Sequence, residues 1–145
     1  MLIQILVGGT VAALNIIVHA LLTVSTIRVA RGVAARSTLH PWSRLLAIMI
    51  ATVLVLMAAH IAEVFVWSVA YALTNAAPEG ADLAYFAFVN YTTLGYGDIT
   101  PVARWRLLGP MTAMNGVLLF GWSTAVIFEV LRKTISEETS FASRS

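Results

Sequence analysis

Residues 92–98 read Thr92-Thr93-Leu94-Gly95-Tyr96-Gly97-Asp98. Two glycines alternate with larger residues, and glycine accepts the positive φ that other residues resist. A backbone that uses this freedom can turn successive carbonyl oxygens toward one axis. The string stands between long apolar stretches, which puts its backbone at membrane depth. Irregular backbone is tolerated there only where protein or water covers it.

The flanking stretches set the class of the chain. Leu2 to Ile27 holds no ionisable side chain except His19. Leu45 to Ala77 carries only Glu63, with His60 beside it, and Leu107 to Phe128 carries none. A helix needs roughly 20 apolar residues to cross the hydrocarbon core. All three stretches qualify, and three transmembrane helices are expected. The composition agrees: 59% of residues are hydrophobic and 11% charged, against about 25% charged in soluble domains. There is no cysteine, which excludes disulfides and thiolate metal sites.

The net charge of +2 does not point to nucleic acid, because the basic residues gather at the ends of apolar spans. Arg28, Arg31, Arg36 and Arg44 fill the link between the first two spans, and Arg132 and Lys133 follow the third. By the positive-inside rule both places are cytoplasmic. The expected topology is a multi-pass cell-membrane protein with the N-terminus outside and the C-terminus inside. Arg104 and Arg106 lie on the opposite side and weaken this count without reversing it. The first span lacks a basic leading region and is too long for a signal peptide.

The expected organisation follows. Residues 1–28 form the first transmembrane helix. On it Gly8, Ala12, Asn15, His19, Thr23 and Thr26 recur at helical spacing, a small and polar stripe suited to packing on the second helix. Residues 29–43 form a basic cytoplasmic linker, with Gly32 and His40-Pro41 as breakers; it is read first as a plain topology signal, and alternatively as a short surface helix whose arginines meet lipid head groups. Residues 44–133 form the main domain. Its first long helix runs from about Trp42 to Thr74, and Pro78 and Gly80 then make a turn. Asp82 caps a short helix over 82–91, too short to span. Residues 92–98 are a loop, and a third long helix covers 105–133, with Pro110 in its first two turns. Residues 134–145 are a polar, loose tail.

A long helix, a short helix, TTLGYGD and a second long helix form an order that resembles the potassium-channel pore domain, in the version of a small prokaryotic-type pore-loop channel with one extra N-terminal helix. The resemblance implies an all-α membrane protein with three transmembrane helices, a re-entrant pore helix and a selectivity-filter loop. It implies that the carbonyls of Thr93, Leu94, Gly95 and Tyr96, with the Thr93 hydroxyl, replace the water shell of a potassium ion. Gly97 then closes the outer mouth, with Thr92, Asp98, Tyr85 and Phe86 as support behind the filter. Tyr85 can donate its hydroxyl to Asp98, a charge-assisted bond. Leu94 stands where Val is commonest, but the carbonyl does the coordinating, so selectivity is expected to survive. Val89 stands where some family members carry a pore-helix Glu.

One loop offers a quarter of a ring, so a working pore needs three further identical subunits, a homotetramer in membrane lipid. The pattern Gly116, then Phe120-Gly121, resembles the family's inner helix. Val117, Phe120, Thr124 and Phe128 share one helical face, expected to line the cavity with Phe128 near an inner gate. Gly116 serves as a bend or as a packing contact. Asn115 lies off this face and is expected to bond to the pore-helix region. His60 and Glu63, at i and i+3 within a span, form either a pH-sensing pair or a hydrogen-bonded packing pair against the first helix or the pore helix. Two ligands on one helix are too few for a metal.

No span carries arginines at every third position, so no voltage sensor is expected. No catalytic constellation is visible, and no enzyme activity or cofactor is expected; potassium enters as the permeant ion. Passive potassium conduction is the leading reading. The alternatives are a weakly selective cation channel and a non-conducting regulatory subunit, and the intact Gly95-Tyr96-Gly97-Asp98 string argues against both.

Overall fold

The structure, a computed structural model, describes residues 1–36 and 40–142. Its elements are α1 (Leu2–Arg36), α2 (Pro41–Thr74), α3 (Leu83–Tyr91), a single 3-10 turn (Ala103–Trp105) and α4 (Leu108–Ala142). The fold is all-α. Leu2–Gly32, Trp42–Thr74 and Ala103–Ser136 are long and apolar enough to cross a membrane.

The turn from α2 into α3 is built from local chemistry. Asn75 takes φ 50°, a left-handed residue that ends α2. The Ala76 N–H reaches the Tyr71 carbonyl at 3.1 Å and the Asn75 N–H the Ala72 carbonyl at 3.3 Å, the paired bonds of a Schellman stop. Pro78 to Ala81 closes a turn with a bond of 3.2 Å. Asp82 then accepts the Tyr85 N–H at 3.0 Å, which satisfies one of the unpaired donors that open α3.

Three boundaries differ from the sequence expectation. Helix α1 continues past residue 28, through Gly32, to Arg36. A Cβ on Gly32 would meet nothing, and one interior glycine costs only about 1 kcal/mol of helix propensity, so it does not break the helix. Of the rest of the expected linker, Ser37 to Leu39 lie outside the described residues, and Pro41 to Ser43 already belong to α2. Helix α4 runs to Ala142 where a loose tail from residue 134 was expected. Residues 134–142 hold neither Gly nor Pro, and polarity alone does not end a helix. Residues 143–145 lie outside the described residues. The third span opens with the 3-10 turn and becomes α-helical only at Leu108. Pro110 falls in the first turn of α4, where its missing N–H has no partner to lose.

The chain divides into two compact units, one of Met1–His19 with His60–Phe120, the other of Ala20–Ala59 with the described residues from Gly121 onward. The first unit has a core of Val64, Trp67, Tyr71, Phe86, Tyr91 and Leu108. Tyr71 and Phe86 stack at 4.8 Å between ring centroids, and the Tyr71 hydroxyl pairs with the Thr112 hydroxyl at 2.6 Å. The small stripe on α1 packs on α4 as well as α2. A Cβ on Gly8 would stand 2.5 Å from Met111 Sδ, so the glycine permits close approach. Gln4 Oε1 accepts the Leu107 N–H at 2.9 Å, and the Val102 N–H bonds the Ala76 carbonyl at 2.8 Å. These two contacts anchor the chain between α3 and α4.

In the second unit Ala30, Ile48, Leu56 and Ala59 are buried, along with Thr26, Thr52, Ser123 and Thr134. Thr26 and Thr134 bond back to carbonyls of their own helices. A cavity of about 650 Å³ is lined by Ile27, Ile48, Trp122, Val126 and Val130. Glu129 pairs with Arg132 at 2.9 Å and with Lys133 at 3.1 Å. Such exposed, solvent-screened pairs contribute little to stability.

Gly116 stands closer to its neighbours than any other glycine of the first unit. A Cβ there would overlap the Tyr91 carbonyl, so α4 touches the end of α3 directly, and the residue is a packing contact. Gly116→Ala is expected to lower stability by about 1–3 kcal/mol through overpacking. Gly121→Ala, whose Cβ would meet nothing within 4 Å, is expected to be neutral or stabilising by up to about 1 kcal/mol. Thermal unfolding of both variants in detergent checks the contrast; equal losses would remove the contact's importance.

Candidate functional site

Residues 92–98 follow directly on the C-terminal end of α3 and cap it. The Thr92 N–H reaches the Phe88 carbonyl at 3.0 Å, Thr93 the Asn90 carbonyl at 3.0 Å, and Leu94 the Val89 carbonyl at 3.0 Å. Gly95 reaches the same Val89 carbonyl at 3.4 Å. The last carbonyls of the helix, unpaired in an isolated helix, are thus satisfied by the loop itself. The peptide bond is planar and trans, so a carbonyl points opposite to the N–H of the next residue. With the amides of Thr93, Leu94 and Gly95 turned to α3, the carbonyls of Thr92, Thr93 and Leu94 point away from it.

Positive φ recurs at every second residue: 61° at Thr93, 60° at Gly95 and 78° at Gly97. The two glycines were legible in the sequence and Thr93 was not. A β-branched residue in the left-handed region is an outlier and costs about 1–3 kcal/mol. The capping bonds on both sides of Thr93 hold it there. All seven residues from Thr92 to Asp98 are exposed on the single chain, with Leu94 54% and Tyr96 67% exposed.

The supporting residues divide. The Tyr85 hydroxyl donates to Asp98 Oδ2 at 2.7 Å, as the sequence suggested. That bond holds the Asp98 carboxyl below the usual carboxylate range, and the carboxylate in turn raises the Tyr85 phenol. The Thr92 hydroxyl donates to the Phe88 carbonyl at 2.7 Å. Phe86 is buried in the core against Tyr71. It seats α3 in the core of the first unit.

His60 and Glu63 belong to a larger group. The Glu63 carboxylate is fully buried. One of its oxygens lies 2.8 Å from His19 Nδ1, and the other lies 3.1 Å from His60 Nδ1. The Tyr91 hydroxyl donates to that second oxygen and lies 3.0 Å from His60 Nδ1. The pair is therefore packed against α1 and α3 together. Sequence reading missed His19 and Tyr91 as its partners. His19 carried a signal, as the only ionisable side chain of its span, whereas nothing in the local sequence marks Tyr91.

Asn115 is placed differently from expectation. It does not bond to the pore-helix region. Its Oδ1 accepts from Asn15 Nδ2 at 3.0 Å and from Trp67 Nε1 at 3.0 Å, joining α1, α2 and α4. Asn15 Nδ2 also donates to the Glu63 main-chain carbonyl at 3.2 Å. On α4, Val117, Phe120, Thr124 and Phe128 are all exposed. Val117 and Phe120 belong to the first unit, Thr124 and Phe128 to the second. The Phe120 ring lies 4.7 Å from the His60 ring and 5.4 Å from that of Tyr91. Gly116, buried under Tyr91, is not on the open face.

The depressed Asp98 carboxyl favours the folded loop at pH above the ordinary Asp value, and that contribution is lost as pH falls through the lowered one. In Tyr85→Phe the Asp98 carboxyl is expected to titrate at higher pH than in the parent, followed by carbon NMR of labelled aspartate. Superimposable curves would mean that the bond does not set the ionisation.

No curated protein matches the chain, and no solved structure does. A family model described as ion channel matches residues 50–133, more than half of the chain. The match covers most of α2, all of α3, the 92–98 loop and α4 to Lys133. With three helices able to cross a membrane, this multi-pass membrane protein belongs to the ion-channel family.

Proposed function

We propose that the chain conducts potassium passively and selectively through a pore formed by four identical subunits. The observation that carries this reading is the capped loop: amides held by α3, carbonyls of Thr93 and Leu94 turned away from it, and left-handed residues at 93, 95 and 97. A set of such oxygens around an axis can exchange with the ion's hydration shell, and conduction proceeds by knock-on between adjacent sites. Thr93, Leu94, Gly95 and Tyr96 hold the ion, and Gly97 forms the outer mouth.

The need for further copies follows from the loop's exposure. Its polar backbone cannot face hydrocarbon, since each unsatisfied group costs several kcal/mol. Neither α3 nor α4 covers residues 92–98 within one chain. Three more copies supply both the cover and the remaining oxygens. The exposed face of Val117, Phe120, Thr124 and Phe128 then lines the inner cavity, and an apolar ring at Phe128 gates by dewetting. The loop faces outside and both basic segments lie in the cytoplasm, following the distribution of arginines.

Purified protein in liposomes is expected to pass potassium faster than sodium, with block by barium. Equal fluxes would support the weakly selective alternative, and no flux the regulatory one. Gly95 sits at φ 60°, where an added Cβ costs about 1–2 kcal/mol. Gly95→Ala is expected to abolish flux or flatten selectivity while leaving the oligomer intact by chemical crosslinking. Parental conduction by this variant would overturn the filter assignment.

A further inference from the structure

The geometry of the first unit points to a second ion site, distinct from the 92–98 loop. His19, His60 and Glu63 bring one ligand atom each to within 4.8 Å of one another. We propose that these three residues bind one divalent transition-metal ion of the zinc type per chain, clamping α1 to α2 beside the end of α3.

The donor set fits such an ion. Two imidazole nitrogens and one carboxylate are a borderline set that suits zinc, cobalt or nickel, whereas magnesium and calcium prefer all-oxygen shells. Zinc–nitrogen and zinc–oxygen bonds near 2.0–2.1 Å place tetrahedral ligand atoms about 3.3 Å apart, so each atom here moves by less than about 1 Å. The present separations of 2.8 Å and 3.1 Å between the imidazoles and the carboxylate are close to that value. A neutral imidazole that donates from Nδ1 offers the same nitrogen to a metal once its proton moves to Nε2. The Tyr91 hydroxyl, 3.0 Å from His60 Nδ1, stands ready as a fourth oxygen or as a bond to the bound carboxylate.

The surroundings hold the ligands in place. His19 and Glu63 are fully buried, and His60, with 16% of its side chain exposed, is the side from which an ion enters. Asn15, one turn before His19, fixes the Glu63 backbone through its carbonyl. The Asn15 Oδ1 is a buried oxygen without a hydrogen-bond partner among the described residues. A divalent cation would also balance a carboxylate charge buried away from water. The clamp reaches the proposed pore through the His60–Phe120 ring contact at 4.7 Å.

The test needs no conduction and so stands apart from the channel reading. Tag-free protein in detergent is stripped with EDTA, dialysed, and given zinc, cobalt or magnesium chloride. The expected result is one zinc per chain by elemental analysis, a rise in thermal midpoint with zinc and none with magnesium. The cobalt form should show the visible absorption of a four-coordinate site. His60→Gln, chosen because His60 is the least buried ligand, is expected to lose more than the ~10–100-fold in zinc affinity that an outer partner costs. A stripped parent that takes up no stoichiometric zinc and gives no cobalt band overturns the proposal. Undiminished affinity in a folded His60→Gln or His19→Gln variant also overturns it.

Discussion

A carboxylate buried among apolar helices is tolerated only with donors on both oxygens, and Glu63 sets that condition for the first unit. Breaking a buried charged group from its partners costs about 3–5 kcal/mol, so the donors are not optional. They come from three elements: His19 on α1, His60 on α2 itself and Tyr91 at the end of α3. One charge therefore fixes the rotation of α1, the register of α2 and the depth of α3 together. Asn115 extends the same constraint to α4 through Asn15 and Trp67.

Tyr91 passes that constraint to the loop. Its hydroxyl is held by Glu63, its ring lies beside Phe120, and its carbonyl lies under Gly116. The end of α3 is thus pinned on three sides. The loop that follows takes its direction from the helix carbonyls that its own amides satisfy. The path from a buried charge to the orientation of the Thr93 and Leu94 carbonyls is continuous, and every link in it is short-range. Strain at Thr93 is maintained because the bonds on either side leave its backbone no alternative.

Much of the local architecture was legible in the residues. The Asp82 cap, the length of α3, the Pro78–Gly80 turn and the Tyr85–Asp98 bond all follow from side chains within about fifteen positions of one another, where chemistry and spacing suffice. Helix ends were less legible. Gly32 and the polar run after Lys133 read as breaks, yet neither removes a helical hydrogen bond, and both helices continue. The partners of Asn115 were misjudged because they lie on α1 and α2, about 100 and 48 residues away in sequence. Which of several helices an off-stripe polar side chain faces is decided by packing.

The sequence by itself determined the class of the protein: three apolar spans, a short helix between the last two, and a glycine-alternating string after it. Those features depend on composition and local spacing, which the chain carries wherever it folds. Only the tertiary structure decided that His19 and Tyr91 join His60 and Glu63, that Gly116 is a close contact under the Tyr91 carbonyl, and that Thr93 shares the left-handed backbone of the glycines. Each of these depends on which groups from distant segments must satisfy one another once water is excluded, and no local pattern records that pairing.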